Sequence, residues 1–142
     1  MLKPVVAAVA MALMGGGAAL AQDTGHALID ALFNQAQTEL LDGARPAAQA
    51  RGALADDATG DQTFNLRAGK SYLAIGMCDE GCSDLDFVMM SPSGENLGAD
   101  VENDDTPVVK FEATENGRYT ATVLMSVCGA ERCNYQVRVY EQ

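Results

Sequence analysis

Between residues 26 and 41 apolar side chains recur every four positions, at Leu28, Leu32, Ala36 and Leu40, flanked by Ile29, Phe33 and Leu41. That spacing draws one broad stripe along an α-helix. Asp23 or Thr24 is placed to cap its start and Gly43 to end it, so residues 22–43 read as an amphipathic helical segment. A stripe must be buried, and the nearest surface is the chain's own next domain; a dimer contact or a partner is the other destination. Residues 44–60 lose the period, mixing Pro46, Gly52 and Gly60 with alanine and charge. They read as a linker, with room for a short second helix at 47–55.

After Gly60 the period becomes two. Phe64 and Leu66 alternate with polar neighbours before the turn Ala68-Gly69-Lys70; Leu73, Ile75 and Met77 share a face, and so do Leu85, Phe87 and Met89. Ser91-Pro92-Ser93-Gly94 carries turn chemistry and predicts a hairpin. Val109, Phe111 and Ala113 then face one way, Asn116-Gly117 turns the chain, and Tyr119, Ala121, Val123, Met125 and Val127 follow. The last strand buries Tyr135, Val137 and Val139. Six or seven short, evenly spaced strands over residues 61–142 predict a mainly β fold. It is an antiparallel sandwich or jelly roll preceded by one helix.

The first 21 residues carry Lys3, an apolar run, and Ala19-Leu20-Ala21 before Gln22, the pattern of a cleaved export signal. The apolar stretch is nearer ten residues than twenty and Gly15-Gly16-Gly17 interrupts it, so it is too short for a membrane span. Cleavage near Ala21 predicts a periplasmic or secreted product. The 142-residue chain has nine basic and twenty acidic residues; losing Lys3 leaves eight against twenty, a net charge of −12. So acidic a chain repels phosphate backbones and excludes nucleic-acid binding.

Export makes the cysteines readable. Cys78, Cys82, Cys128 and Cys133 all follow the signal, so two disulfides are expected. The local pairing, Cys78 with Cys82 and Cys128 with Cys133, staples the bases of two hairpin loops; cross-pairing between the loops is its rival. A tetrathiolate zinc site fits poorly with C-x3-C and C-x4-C spacings in an oxidising compartment.

Residues 61–142 resemble the bacterial pre-peptidase C-terminal domain. The landmarks are Phe64-x-Leu66 before Ala68-Gly69, then Tyr72 and Ile75, Asp84-Leu85-Asp86-Phe87, Pro92-Ser93-Gly94 and Asp100. Phe111, Gly117-Arg118-Tyr119 and Tyr135-x-Val137-x-Val139 follow in order. The resemblance implies a non-catalytic β-sandwich module that binds, solubilises or positions other molecules outside the cytoplasm, sometimes with calcium at acidic loops. The leading helix and the cysteine pairs depart from that pattern, and a module standing without a peptidase domain is expected. The expected ligand, a protein or a carbohydrate, is therefore met in trans.

The densest acidic features are Asp84-Leu85-Asp86 and the run holding Asp100, Glu102, Asp104 and Asp105. Calcium takes six to eight oxygens, which these carboxylates and nearby carbonyls supply if the fold joins them. The run fails the EF-hand pattern, because Asp105 stands where a glycine is needed. A hydrated acidic edge is the other reading, and Asp79 and Glu80 read as turn residues. As a catalytic pair Asp84 and Asp86 lack the deep cleft that raises one carboxyl's pKa. Asp23-Thr24-Gly25 matches the aspartic-protease triplet but stands in a single copy before a helix, where capping explains it. His26, the only histidine, has no catalytic partner in the sequence, and the strand methionines Met77, Met89, Met90 and Met125 read as packing before copper ligands.

An enzyme is therefore not expected. Val88, Met90, Val108 and Leu124 stand on the polar rows of their strands; on one sheet face they receive the helix or form a partner-binding patch. Two functions remain: an exported binding or accessory module, or a cell-envelope inhibitor or chaperone-like protein docking on a basic target enzyme. Acidic charge suits the second through steering that salt weakens.

Overall fold

The period-two rows close into two layers. In the computed structural model backbone is described from residue 17 and side chains from residue 24; the expected signal peptide, residues 1–21, lies outside the described side chains. Helix α1 (Gly17–Leu40) precedes eight strands: β1 (Ala48–Leu54), β2 (Thr59–Leu66), β3 (Lys70–Cys78), β4 (Cys82–Met90), β5 (Asn96–Asp100), β6 (Val108–Ala113), β7 (Gly117–Cys128) and β8 (Cys133–Glu141). One sheet has the order β1-β8-β3-β6 and the other β2-β7-β4-β5, and every pairing is antiparallel. The expected β-sandwich is the fold observed.

The alternating apolar rows meet between the sheets, as the pleat requires. Phe64, Leu85, Phe87, Met89, Tyr119, Val123 and Met125 come from one sheet, and Tyr72, Val109, Phe111, Tyr135, Val137 and Val139 from the other. Phe111 ties the core together, its ring 5.6 Å from Tyr72 and 5.8 Å from Tyr119. At full burial each such side chain contributes about 1.5–3 kcal/mol.

Two expectations are corrected. Residues 44–60 are not a linker and residues 47–55 hold no helix: β1 pairs along its whole length with β8, from Ala48 opposite Val139 to Leu54 opposite Cys133. Its row of alanine, glutamine and glycine hides the strand because there is no room for large side chains. A Cβ built at Gly52 meets the Tyr135 ring at 2.5 Å. Asp57, in the left-handed region, then turns the chain into β2.

The helix is also rotated from its expected stripe. Ile29 and Phe33 are completely buried, whereas Leu32 is 40% exposed and Leu40 78%. The helix docks in cis on the outer face of the β1-β8-β3-β6 sheet, against Leu73, Ile75 and Tyr140. Between these apolar contacts lies a paired polar row. Arg138 is bonded to Asp30 at 2.8 Å and Gln37 at 3.1 Å, Gln136 donates to Asp30 at 3.0 Å, and Tyr140 donates to Gln37 at 2.7 Å. The Arg138 guanidinium also lies 4.3 Å over the Phe33 ring. Burial alone raises the Asp30 carboxyl, but the Gln136 hydrogen bond and the Arg51 and Arg138 charges outweigh it and hold it below its ordinary value. Since the helix begins at Gly17, Asp23 and Thr24 lie inside it rather than at its cap. Gly43 ends it as expected, in the left-handed region and with its N–H on the Gln37 carbonyl.

Candidate functional site

Antiparallel order brings alternate loops to one end of the sandwich. The loops β1–β2, β3–β4, β5–β6 and β7–β8 gather where Leu54 faces Cys133, Cys78 faces Tyr135 and Cys82 faces Cys128. Both disulfides are here, in the local pairing Cys78–Cys82 and Cys128–Cys133. The end is stapled twice within its loops.

Acid is concentrated at the same place. Asp56 and Asp57 come from the first loop, Asp79 and Glu80 from the second, and Asp84 and Asp86 from the start of β4. Asp100 ends β5, Glu102, Asp104 and Asp105 form the third loop, and Glu131 stands in the fourth. That makes eleven of the chain's twenty acidic residues, while the loops hold one basic residue, Arg132, which donates to the Ala53 carbonyl at 2.6 Å.

Several of these carboxylates build the loops. Asp56 accepts from the Cys128 amide at 2.8 Å; Asp79 accepts from Gly81 and from both nitrogens of Asn134, the role of a turn residue. Asp100 accepts from the Glu102 and Val108 amides, Asp104 from the Thr106 amide, and Asp105 from the Thr106 hydroxyl. The Leu85 amide donates to the Asp104 carbonyl at 2.9 Å, which lays the third loop against β4.

The charges of Asp86 and Asp104 both act on Asp84. Asp86 is 8% exposed and accepts from the Ser126 hydroxyl, yet its Oδ1, like that of Asp84, is buried without a hydrogen-bond partner. Burial, then the charges of Asp86 and Asp104, push the Asp84 carboxyl above its ordinary value of 3.8. Of the six residues expected around calcium, Asp84, Asp86 and Asp104 are near enough for their charges to interact, which falls short of a cluster that could hold an ion. Asp100 and Asp105 are engaged within their own loop, and among the described residues no three His, Cys, Asp or Glu side chains form a metal-holding group.

The raised Asp84 value has a stability consequence. In the interval between 3.8 and its folded value the native state holds a proton that the unfolded chain has released. Stability therefore falls as pH rises through that interval, and the full cost stands above it. Asp84→Asn removes the cost and offers an N–H to the orphaned Asp86 oxygen. Thermal melts are expected to show the variant more stable than the parent at pH 7, the advantage fading as pH is lowered toward 3.8. An equal midpoint at both pH values would mean that the carboxyls are relaxed by solvent.

The polar-row apolar residues divide between the sheets. Val88, Met90 and Leu124 stand half-buried on the outer face of the β2-β7-β4-β5 sheet, away from the helix, and Val108 lies opposite Ile75 on the helix side, 42% exposed. His26 meets Gln136 where the helix docks. One further feature was invisible in the sequence: a pocket of about 190 Å³ between α1 and the stapled end, lined by Leu32, Met77, Cys78, Asp105 and Thr106.

Compared with known proteins, the chain matches no family model and no curated protein sequence. It is similar to solved β-sandwiches. The pre-peptidase C-terminal domain of a collagenase from Bacillus anthracis is 20% identical at a TM-score of 0.50, over 65% of this chain and 87% of that one. This chain has the same β-sandwich fold. Two further neighbours are more distant in shape. PliG, a periplasmic inhibitor of g-type lysozyme from Aeromonas hydrophila, is 19% identical at 0.49, over 71% of this chain and 90% of that one. The carbohydrate-binding module CBM4 is 16% identical at 0.41, over 75% and 83%. The fold shared with the pre-peptidase C-terminal domain accounts for the sandwich, while β1's pairing with β8 and the docked helix are read from this structure alone. Among the described residues no helix is long and apolar enough to cross a membrane.

Proposed function

We propose that this chain is an exported, non-catalytic binding module that docks on a basic protein through its stapled acidic end. The observation that carries the reading is the convergence of eleven acidic residues, eight from the four loops and three from the ends of β4 and β5, against the single basic Arg132. Such a field steers a cationic partner and sets its orientation. Export is supported by the signal pattern of residues 1–21 and by two disulfides, which persist in oxidising compartments. A non-catalytic role is supported by the placement of Asp84 and Asp86, side by side on one strand rather than across a cleft, and of His26 at the helix–sheet contact. A protein suits the surface better than a sugar. All eight aromatic residues are buried, so no ring is exposed for a sugar face to stack on.

The test is a titration of the oxidised protein against a cationic lysozyme, chosen as a basic secreted hydrolase, at rising ionic strength. A complex that forms at low salt and weakens steadily as salt is added supports the reading. No complex with this or any other cationic protein would remove it. The two orphaned Oδ1 atoms favour a second reading, a calcium ion held by Asp84 and Asp86 with Asp104 nearby. On that reading calcium, and not magnesium, raises the melting midpoint, and Asp84→Asn or Asp104→Asn abolishes the rise. An unmoved midpoint leaves the acids to the protein partner.

A further inference from the structure

We propose, resting on the basic-partner reading above, that the pocket between α1 and the stapled end is the seat for one lysine or arginine side chain of that partner. Its walls divide by chemistry. Leu32 and Met77 supply apolar surface, while Asp105 and Thr106 supply oxygen. A long cationic side chain has the matching division, an aliphatic stem that gains from apolar contact and a charged head that needs an acceptor.

The acid wall is built in advance. Thr106 donates its hydroxyl to Asp105 and its amide to Asp104, both at 2.9 Å, and the Leu85 amide holds the Asp104 carbonyl at 2.9 Å. These bonds within the loop and to β4 fix its shape, and less ordering cost falls on binding. The apolar wall is equally deliberate: α1 buries Ile29 and Phe33 and leaves Leu32 40% exposed at the pocket.

Charge selects the cation over an apolar plug or a second copy of this acidic chain. Asp105 lines the pocket and Asp104 precedes it in the same loop, so two carboxylates stand on this side. A lysine or arginine head supplies charge-assisted donors to the Asp105 carboxylate, which an apolar plug or an acidic surface lacks.

The experiment is an NMR titration of the oxidised protein with an oligolysine peptide, using Leu32→Ser and Asp105→Asn against two controls. Leu40→Ser changes an exposed leucine elsewhere on the same helix, and Glu112→Gln removes a charge from the opposite end. The expected result is shifted amides at residues 32, 77, 105 and 106. Leu32→Ser and Asp105→Asn each weaken binding by about three- to fivefold, and the controls move it by less than about twofold. If the peptide binds every variant alike, the pocket is overturned and the acidic-end reading stands on diffuse charge. If it binds no form at all, both fall. Self-association on sedimentation that Leu32→Ser abolishes would make the occupant a second copy and overturn the cationic seat.

Discussion

Phe33→Ala is expected to cost about 3–5 kcal/mol of unfolding free energy, the usual price of deleting a fully buried aromatic ring. Phe33 is completely buried against Leu73, Ile75 and Tyr140, and the Arg138 guanidinium lies over its ring. Truncation removes the contact surface and also uncovers Arg138, whose side chain is only 8% exposed. Among the described side chains of the helix, Ile29 is the one other that is completely buried, so little else holds it by apolar contact. Denaturant unfolding followed by circular dichroism measures the loss, and amide exchange along residues 26–40 reports whether the helix leaves first. A midpoint within experimental error of the parent would mean that α1 docks without stabilising the sandwich.

Removing both disulfides is expected to cost about 2 kcal/mol per bridge, about 4 kcal/mol for the pair, as loop-closure entropy returns to the unfolded chain. The loops are short, with sequence separations of 4 and 5, which is why each bridge contributes toward the low end of the usual range. Cys82 pairs with Cys128 across the sheet, so the two bridges are neighbours and their losses need not add. The quadruple variant Cys78→Ala, Cys82→Ala, Cys128→Ala, Cys133→Ala compared with each double variant measures both the sum and the coupling. A quadruple variant as stable as the parent would show that backbone pairing alone fixes this end. Looser loops should also weaken binding of a basic partner, because the acids they carry lose their fixed arrangement.

How much of this was legible beforehand depended on whether a residue's neighbours could be inferred from its own row. β6 was readable because Val109, Phe111 and Ala113 announce its core row, and β3 was readable as a strand although the row read there, Leu73, Ile75 and Met77, packs on the helix side while Tyr72 and Ala74 enter the core; β1 was not, because Gly52 is small to suit Tyr135, eighty-three positions away in sequence. The helix was readable as a helix, but its rotation was not. Hydrophobic period favours Leu28, Leu32, Ala36 and Leu40, whereas docking buries Ile29 and Phe33 and pairs Asp30 and Gln37. A buried polar group is tolerated when partnered, and its partners Gln136, Arg138 and Tyr140 lie on a strand more than a hundred residues later. The same strand, β8, reads as half-exposed from its alternation, yet is buried from Cys133 to Tyr140 because core covers one face and helix the other.

The acidic site was legible in pieces. Asp84-Leu85-Asp86 and the run from Asp100 to Asp105 stand out as residues, and the local cysteine pairing was one of two that the sequence left open until the structure decided it. That Asp56 and Asp57 join them required recognising β1, since only an eight-strand count places the first loop beside the third and fourth. Once the strands are counted, loop parity alone assembles the end.

The central claim is that position, not total charge, makes this end the docking surface. The measurement is the association rate with a cationic lysozyme for two variants of equal net charge. One carries Glu80→Gln, Glu102→Gln and Glu131→Gln at the stapled end; the other carries Glu39→Gln, Glu95→Gln and Glu112→Gln at the opposite end, all six being exposed residues. The account predicts that the first variant associates about tenfold more slowly at low salt while the second stays close to the parent. Equal slowing of both would contradict it, because the lysozyme would then be responding to the charge of the whole molecule rather than to the stapled end.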